Sequence, residues 1–151
     1  MEFLTEDEPD LTLPEDSICR ARLEEIKLRT FTFTDKKSGE DVERTSLEWW
    51  WEVTATNLGP QYIGRKVKGE CNPKISNRGD NRFRIWAEAL LNREIPVGMA
   101  IDTDDLVGMT AEIVIGVQDD RKDPLKKWNR VTDVIPNLQS GGVFAGSEPP
   151  F

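Results

Sequence analysis

Three consecutive tryptophans, Trp49-Trp50-Trp51, stand inside the alternation Leu47-Glu48-Trp49-Trp50-Trp51-Glu52-Val53-Thr54. A period of two belongs to a β-strand, whose successive side chains point to opposite faces. Leu47, Trp49, Trp51 and Val53 then share one face, and Glu48, Trp50, Glu52 and Thr54 share the other. The odd set is the economical core face, since it holds two large rings and two aliphatic chains and no charge. The even set carries two carboxylates and turns Trp50 outward.

The same reading extends along the chain. Ser17 to Thr30 predicts a long first strand, with Cys19, Ala21 and Leu23 on odd positions and Ile26 and Leu28 on even ones. A change of phase by one residue flips every side chain, so a bulge is expected near Glu24-Glu25. Phe31 to Arg44 reads as a polar hairpin connection with Asp35-Lys36-Lys37-Ser38-Gly39 at its tip. The second strand runs from Thr45 to Thr56, and Asn57-Leu58-Gly59-Pro60 is a turn. Gln61 to Cys71 is the third strand, with Val67 and Cys71 opposite Lys66 and Lys68.

The period then becomes helical. Asp80 or Asn81 caps a helix reaching about Asn92, whose buried stripe is Phe83, Trp86 and Leu90 with Ala87 filling in. Pro96-Val97-Gly98 breaks the chain, and Asp102-Thr103-Asp104-Asp105-Leu106 is a turn or short helical cap. Thr110 to Gln118 is the fourth strand, with Ala111, Ile113, Ile115 and Val117 inward. Asp119 to Lys127 is a charged loop. Trp128 to Ile135 is the fifth strand, with Val131 and Ile135 inward, and Pro136 ends it. The order strand, strand, strand, helix, strand, strand predicts a mainly β fold: a five-stranded OB-fold Greek-key barrel with one α-helix between strands 3 and 4. Other five-stranded α+β arrangements share this order of elements.

Charge divides the 151 residues into three parts. Residues 1–16 hold seven acids and no base, which predicts an acidic, disordered arm. Residues 17–136 hold twenty acids and twenty bases and form the domain, so local patches rather than net charge decide what it attracts. Residues 137–151 hold one acid, Glu148, in a loose Gly/Ser-containing tail. The overall charge of −8 therefore does not exclude a nucleic-acid partner; the arm reads first as a solvated lead-in, with competition for a basic groove as the alternative.

Several chemistries are disfavoured. The chain has no histidine, the commonest general base and metal ligand. Its two cysteines, Cys19 and Cys71, lack a CxxC spacing and read as small core residues in a reducing compartment. Asp102, Asp104 and Asp105 lack the order of a calcium loop and read as capping groups. No phosphate-binding loop, nucleophile elbow or zinc spacing is present. No run of about 18 apolar residues exists, so no membrane span is expected. Neither an enzymatic activity nor a cofactor or metal is expected.

Sequence-independent binding of a single strand needs a basic groove for phosphates and exposed rings for bases. The candidates are Trp50 on the second strand, Tyr62, Lys66 and Lys68 on the third, and Trp128 and Arg130 on the fifth. Lys36 and Lys37 in the first hairpin, and Arg121, Lys122, Lys126 and Lys127 before the fifth strand, occupy the two loops that frame an OB ligand site. The plainer alternative is that Glu48 and Glu52 pair with Lys66 and Lys68 across the sheet. Tyr62, Lys74, Arg78, Arg82 and Arg84 form a second basic stretch, part of which solvates the helix and its lead-in.

The chain ends Glu148-Pro149-Pro150-Phe151. A stiff Pro-Pro pair closing on an aromatic with a free carboxylate is a peptide hook, able to place its ring in a small apolar pocket. This ending resembles the C-terminal tip of bacterial single-stranded DNA-binding proteins, although its linker is short and its acid single. The body resembles a family of bacteriophage OB-fold single-stranded DNA-binding proteins. The resemblance rests on Cys19-Arg20-Ala21-Arg22-Leu23, on the tryptophan strand, on Tyr62-Ile63-Gly64-Arg65-Lys66-Val67-Lys68-Gly69, and on residues 86–98, 105–108 and 129–136. The long acidic arm departs from it. The resemblance implies coating of single-stranded DNA during replication or recombination, in the cytoplasm of an infected cell. Partners would be recruited through the tip, and self-association is compatible with it. The competing expectation is an OB module that regulates a host replication protein and binds no DNA. A metal-dependent nuclease is a remote third.

Overall fold

The computed structural model describes residues 12–76, 78–119 and 126–136. Its strands are β1 (Ile18–Thr34), β2 (Asp41–Ala55), β3 (Lys66–Cys71), β4 (Thr110–Asp119) and β5 (Lys127–Ile135). One helix, α1 (Arg82–Leu91), follows β3 and precedes β4 in the chain. The strands close in a ring in the order β1-β2-β3-β5-β4, with β4 returning to β1. Every neighbouring pair is antiparallel except β3 and β5, which run parallel with Lys68 opposite Arg130. In space α1 does not bridge β3 and β4: β5 stands between those strands, and the helix leans on β5 and more lightly on β4.

The inner faces build one core. Leu47, Trp49, Trp51 and Val53 are all buried, as the alternation of β2 requires. Trp49 sits at its centre, stacked on Trp51 at 6.4 Å and meeting Phe83 and Trp86 edge-on at 5.7 and 5.4 Å. Such offset and T-shaped arrangements suit the aromatic quadrupole. The stripe of α1 (Phe83, Trp86, Ala87, Leu90) supplies the helical side of this core. Asn81 starts the helix by accepting the Arg84 backbone N–H at 2.9 Å, and Asn92 ends it in the left-handed conformation. Trp86 approaches β3 closely because residue 69 is glycine: a Cβ there would lie 2.6 Å from the ring. Both cysteines are free and buried.

The change of phase in β1 is visible in its pairing. Leu23 opposes Trp51 and Glu25 opposes Trp50, so Glu24 is the extra residue of a bulge. A second shift lies between Arg20 and Ala21.

Four expectations need correction. Phe31–Thr34 and Asp41–Arg44 are strand rather than connection, paired up to Thr34 opposite Asp41, so β1 and β2 continue as a two-stranded ribbon whose turn is Asp35–Glu40. The start of the expected third strand is instead a 3-10 turn, Pro60–Tyr62, because Gly59 and Gly64 take positive φ there. In β5 the inward residues are Val131 and Val134 rather than Val131 and Ile135, since Val114 opposes Asp133 while Ile115 opposes Val131. Packing against the core also starts before Ser17: Leu13 is fully buried, and its backbone N–H and carbonyl bond the Asn129 side chain at 2.7 and 2.9 Å. The rest of the acidic arm, residues 1–11, lies outside the described residues, as does the tail from residue 137 onward.

Among the described residues no helix is long and apolar enough to cross a membrane, and no three His, Cys, Asp or Glu side chains cluster to hold a metal ion. Asp102 accepts the Asp104 backbone N–H at 3.0 Å, which makes it the cap of the 3-10 turn Thr103–Asp105.

Candidate nucleic-acid interface

The outer face of β2, β3 and β5 carries one row of residues fixed by register. Trp50 opposes Lys68, and Lys68 opposes Arg130. The row ends at Gly116 of β4, opposite Arg130. A Cβ on Gly116 would meet Thr132 Cγ2 at 2.6 Å and the Arg130 side chain at 3.4 Å, so the glycine leaves room for both outer side chains.

Two adjoining hollows follow this row and share Lys68, Trp128 and Asn129. One, of about 570 Å³, reaches over Trp50, Ile63, Arg65 and Lys66. The other, of about 580 Å³, reaches over Glu70, Arg82, Arg130 and Thr132. Together they form an open groove with a tryptophan on β2 and another on β5. Trp128 is 56% exposed and presents most of its ring. Trp50 is half-buried, with the Lys68 ammonium 5.8 Å from its ring centroid. Its indole N–H is buried and finds no acceptor among the described residues. Asn129 anchors the Trp128 end, since the same amide that binds Leu13 also reaches the Gly116 carbonyl at 3.4 Å. A smaller, mostly apolar cavity of about 260 Å³ between Ile75, Arg84 and Met99 contains none of the expected site residues.

The groove is basic but partly neutralised. Lys66 pairs with Glu52 at 3.0 Å. Lys68 lies between Glu48 at 3.2 Å and Glu70 at 3.1 Å. The cross-strand pairing that the sequence allows is therefore present. Glu48 is nearly buried and also takes Arg29 at 3.2 Å. Burial pushes its carboxyl up, but hydrogen bonds from Lys68 and Arg29 outweigh burial, so it sits below the ordinary carboxylate value. Lys68 is pulled down by burial and raised more strongly by Glu70 and Glu48, so it stays charged. Among the described residues Arg65 and Arg130 make no ion pair. Arg130 is exposed and open to an anionic ligand, whereas Arg65 is half-buried.

The structure gathers five of the expected residues, Trp50, Lys66, Lys68, Trp128 and Arg130, into this groove. Lys36 and Lys37 are not among them. The ribbon carries them about 30 Å along β2 from Trp50, at about 3.3 Å per residue. Tyr62 turns toward the core instead of the groove. Lys126 and Lys127 are exposed at the start of β5, with Lys127 opposite Asp119. Arg121, Lys122 and the tip Glu148-Pro149-Pro150-Phe151 lie outside the described residues.

Two groove residues escaped the sequence reading of the site. Arg65 is brought in by the glycine turn that precedes β3. Arg82, assigned to the helix surface, reaches back to the Glu70 carbonyl at 3.1 Å while its guanidinium lies 5.4 Å from the Trp86 ring centroid. Adjacency of Lys66 to Arg65 was the available signal for the first; the second depends on packing alone. No protein-family model matches the chain, and comparison with curated proteins finds no match.

Proposed function

We propose that this protein binds single-stranded DNA without catalysing a reaction, laying the strand along the outer face of β2, β3 and β5. The observation that carries this reading is the groove itself. It sets two tryptophans about a row of cations, with Trp128 exposed for stacking and Arg130 exposed for phosphates. Aromatic platforms beside tracking cations are what sequence-tolerant strand binding requires. The closing order β1-β2-β3-β5-β4, with β3 parallel to β5, supports assigning the ring of strands to the OB-fold, whose ligands lie on this side. The sequence resemblance to phage strand-binding proteins supports a role in replication or recombination, in the cytoplasm of an infected cell, with the C-terminal tip engaging a protein partner.

A second reading has its own support. Glu48, Glu52 and Glu70 neutralise Lys66 and Lys68, which favours a protein-interaction module that binds no DNA. Titrating an oligothymidylate while following tryptophan fluorescence separates the two. Strand binding should quench the emission, and Trp128→Ala and Arg130→Ala should each weaken the association. An unchanged spectrum at every oligonucleotide concentration in dilute salt would select the protein-interaction module.

A further inference from the structure

We infer that the β1–β2 ribbon carries a second base-stacking station, formed by Phe31, Phe33 and Arg44, which extends the strand path beyond the groove; this rests on the proposed strand binding. The ribbon projects past the core, yet its rings are exposed: Phe31 by 45% and Phe33 by 36%. Rings exposed on a two-stranded element add nothing to the core and are open to contact. The two rings lie 6.3 Å apart, and the Arg44 guanidinium lies 5.0 Å from the Phe33 centroid.

Register places this station on the groove face. Phe33 opposes Val42, Phe31 opposes Arg44, Arg29 opposes Ser46, Lys27 opposes Glu48 and Glu25 opposes Trp50. Directly opposed residues share a face, so the rings continue the face that carries Trp50 and Lys68. Arg29 bridges the interval, bonding the same Glu48 that holds Lys68. Arg44 stands six positions before Trp50 on β2, about 20 Å along the strand.

Charge is sorted by the same register. Asp41 and Glu43 oppose Thr34 and Thr32 on the other face, and the Thr34 hydroxyl bonds Asp41 at 2.8 Å. Lys27, Arg29 and Arg44 fall on the face with the rings; Glu25 and Glu48 lie there too and pair with Lys27 and Arg29, but from Arg29 to Phe33 and from Val42 to Ser46 that face carries no acid. Rings interleaved with arginines, and acids turned away, suit bases and phosphates better than an apolar partner would.

The test measures affinity for oligothymidylates of increasing length in the full chain, comparing wild type, the double variant Phe31→Ala/Phe33→Ala, and Trp128→Ala. Lengths should run from about 4 to about 16 nucleotides or more, the span covered by single OB-folds. Trp128→Ala should weaken binding at every length. The double variant should match wild type on the shortest oligomers and lose about tenfold or more on the longest, where the ribbon is reached. Tyrosine at both positions should restore most of the loss, which separates ring stacking from damage to the ribbon. A double variant that equals wild type at every length, while Trp128→Ala is weakened, overturns the inference and leaves the groove standing. A change in sedimentation mass with unchanged affinity overturns it in favour of a contact between copies. Failure of wild type to bind any oligomer removes the parent reading as well.

Discussion

Glu48→Gln should move stability and DNA affinity in opposite directions. The substitution keeps the size of the side chain and deletes its charge. In the folded protein that carboxylate holds Lys68 and Arg29, each at 3.2 Å, from a nearly buried position. Lys68 keeps Glu70 at 3.1 Å, so the structural loss is partial, about 1–2 kcal/mol for weakening charge-assisted hydrogen bonds. The groove meanwhile gains one unit of positive charge. A phosphate about 7 Å away would feel it by about 0.6–2.4 kcal/mol for an effective dielectric between about 80 and 20. That is a tightening of about threefold or more in dilute salt. The salt dependence should steepen by up to about 0.7 in slope if Lys68 contacts a phosphate. Thermal melts and fluorescence-anisotropy titrations at about 50 and about 200 mM salt read both quantities. General damage to the fold would lower both together. Unchanged binding beside a lowered melting temperature would refute the placement of the strand over Lys68.

Three further outcomes follow from the same geometry. Trp128→Ala should cost about 1–3 kcal/mol of strand binding and little stability, whereas Trp51→Ala, which empties the core, should cost about 3–5 kcal/mol in a denaturant melt. Gly69→Ala should destabilise by about 1–3 kcal/mol in the same melt, because its Cβ would sit 2.6 Å from the Trp86 ring and 3.0 Å from Val131; wild-type stability there would mean that α1 packs elsewhere. Stability measured against pH should hold a plateau and fall on both sides. The lowered Glu48 carboxyl stabilises above its unfolded value of about 4.5 and loses that contribution as pH falls through its folded value. Cys71, pushed up to about 11 by burial despite a hydrogen bond from Trp49, stabilises below about 9 and loses that contribution as pH rises toward 11. The same burial should leave the thiol unreactive to alkylating agents at neutral pH.

What could be read from sequence was whatever local periodicity encodes. The inner face of β2, the bulge at Glu24, the Asn81 cap and the stripe of α1 each follow from residues within a few positions of one another. The ribbon was legible too, since Thr30-Phe31-Thr32-Phe33-Thr34 alternates β-branched and aromatic residues with a period of two; the polar turn around Asp35–Gly39 outweighed it in the reading of residues 31–44 as a connection. The break in the expected third strand depends on two positive-φ glycines, and the inward shift in β5 depends on how Thr132 fits against β4.

The site divides in the same way. Trp50 and Trp128 were legible as outward rings because each departs from its own strand's apolar alternation. The row Trp50-Lys68-Arg130 was not legible, since it is set by the pairing of three strands distant in sequence. Arg82 enters the groove only because α1 leans on β5 and turns that side chain toward Glu70. The OB pattern puts Lys36 and Lys37 in a loop that frames the ligand site. A ribbon of paired residues takes them far from it.

The central claim is that this face takes a single strand through stacking and phosphate contacts together. The most direct measurement compares affinity for one oligonucleotide, single-stranded and as a duplex, across a salt series. The account predicts a clear preference for the single strand and a log–log salt slope of about −0.7 per phosphate contacted. Part of the affinity should survive high salt, because stacking on Trp128 is not screened. Equal affinity for duplex and single strand, or no binding in dilute salt, would contradict it.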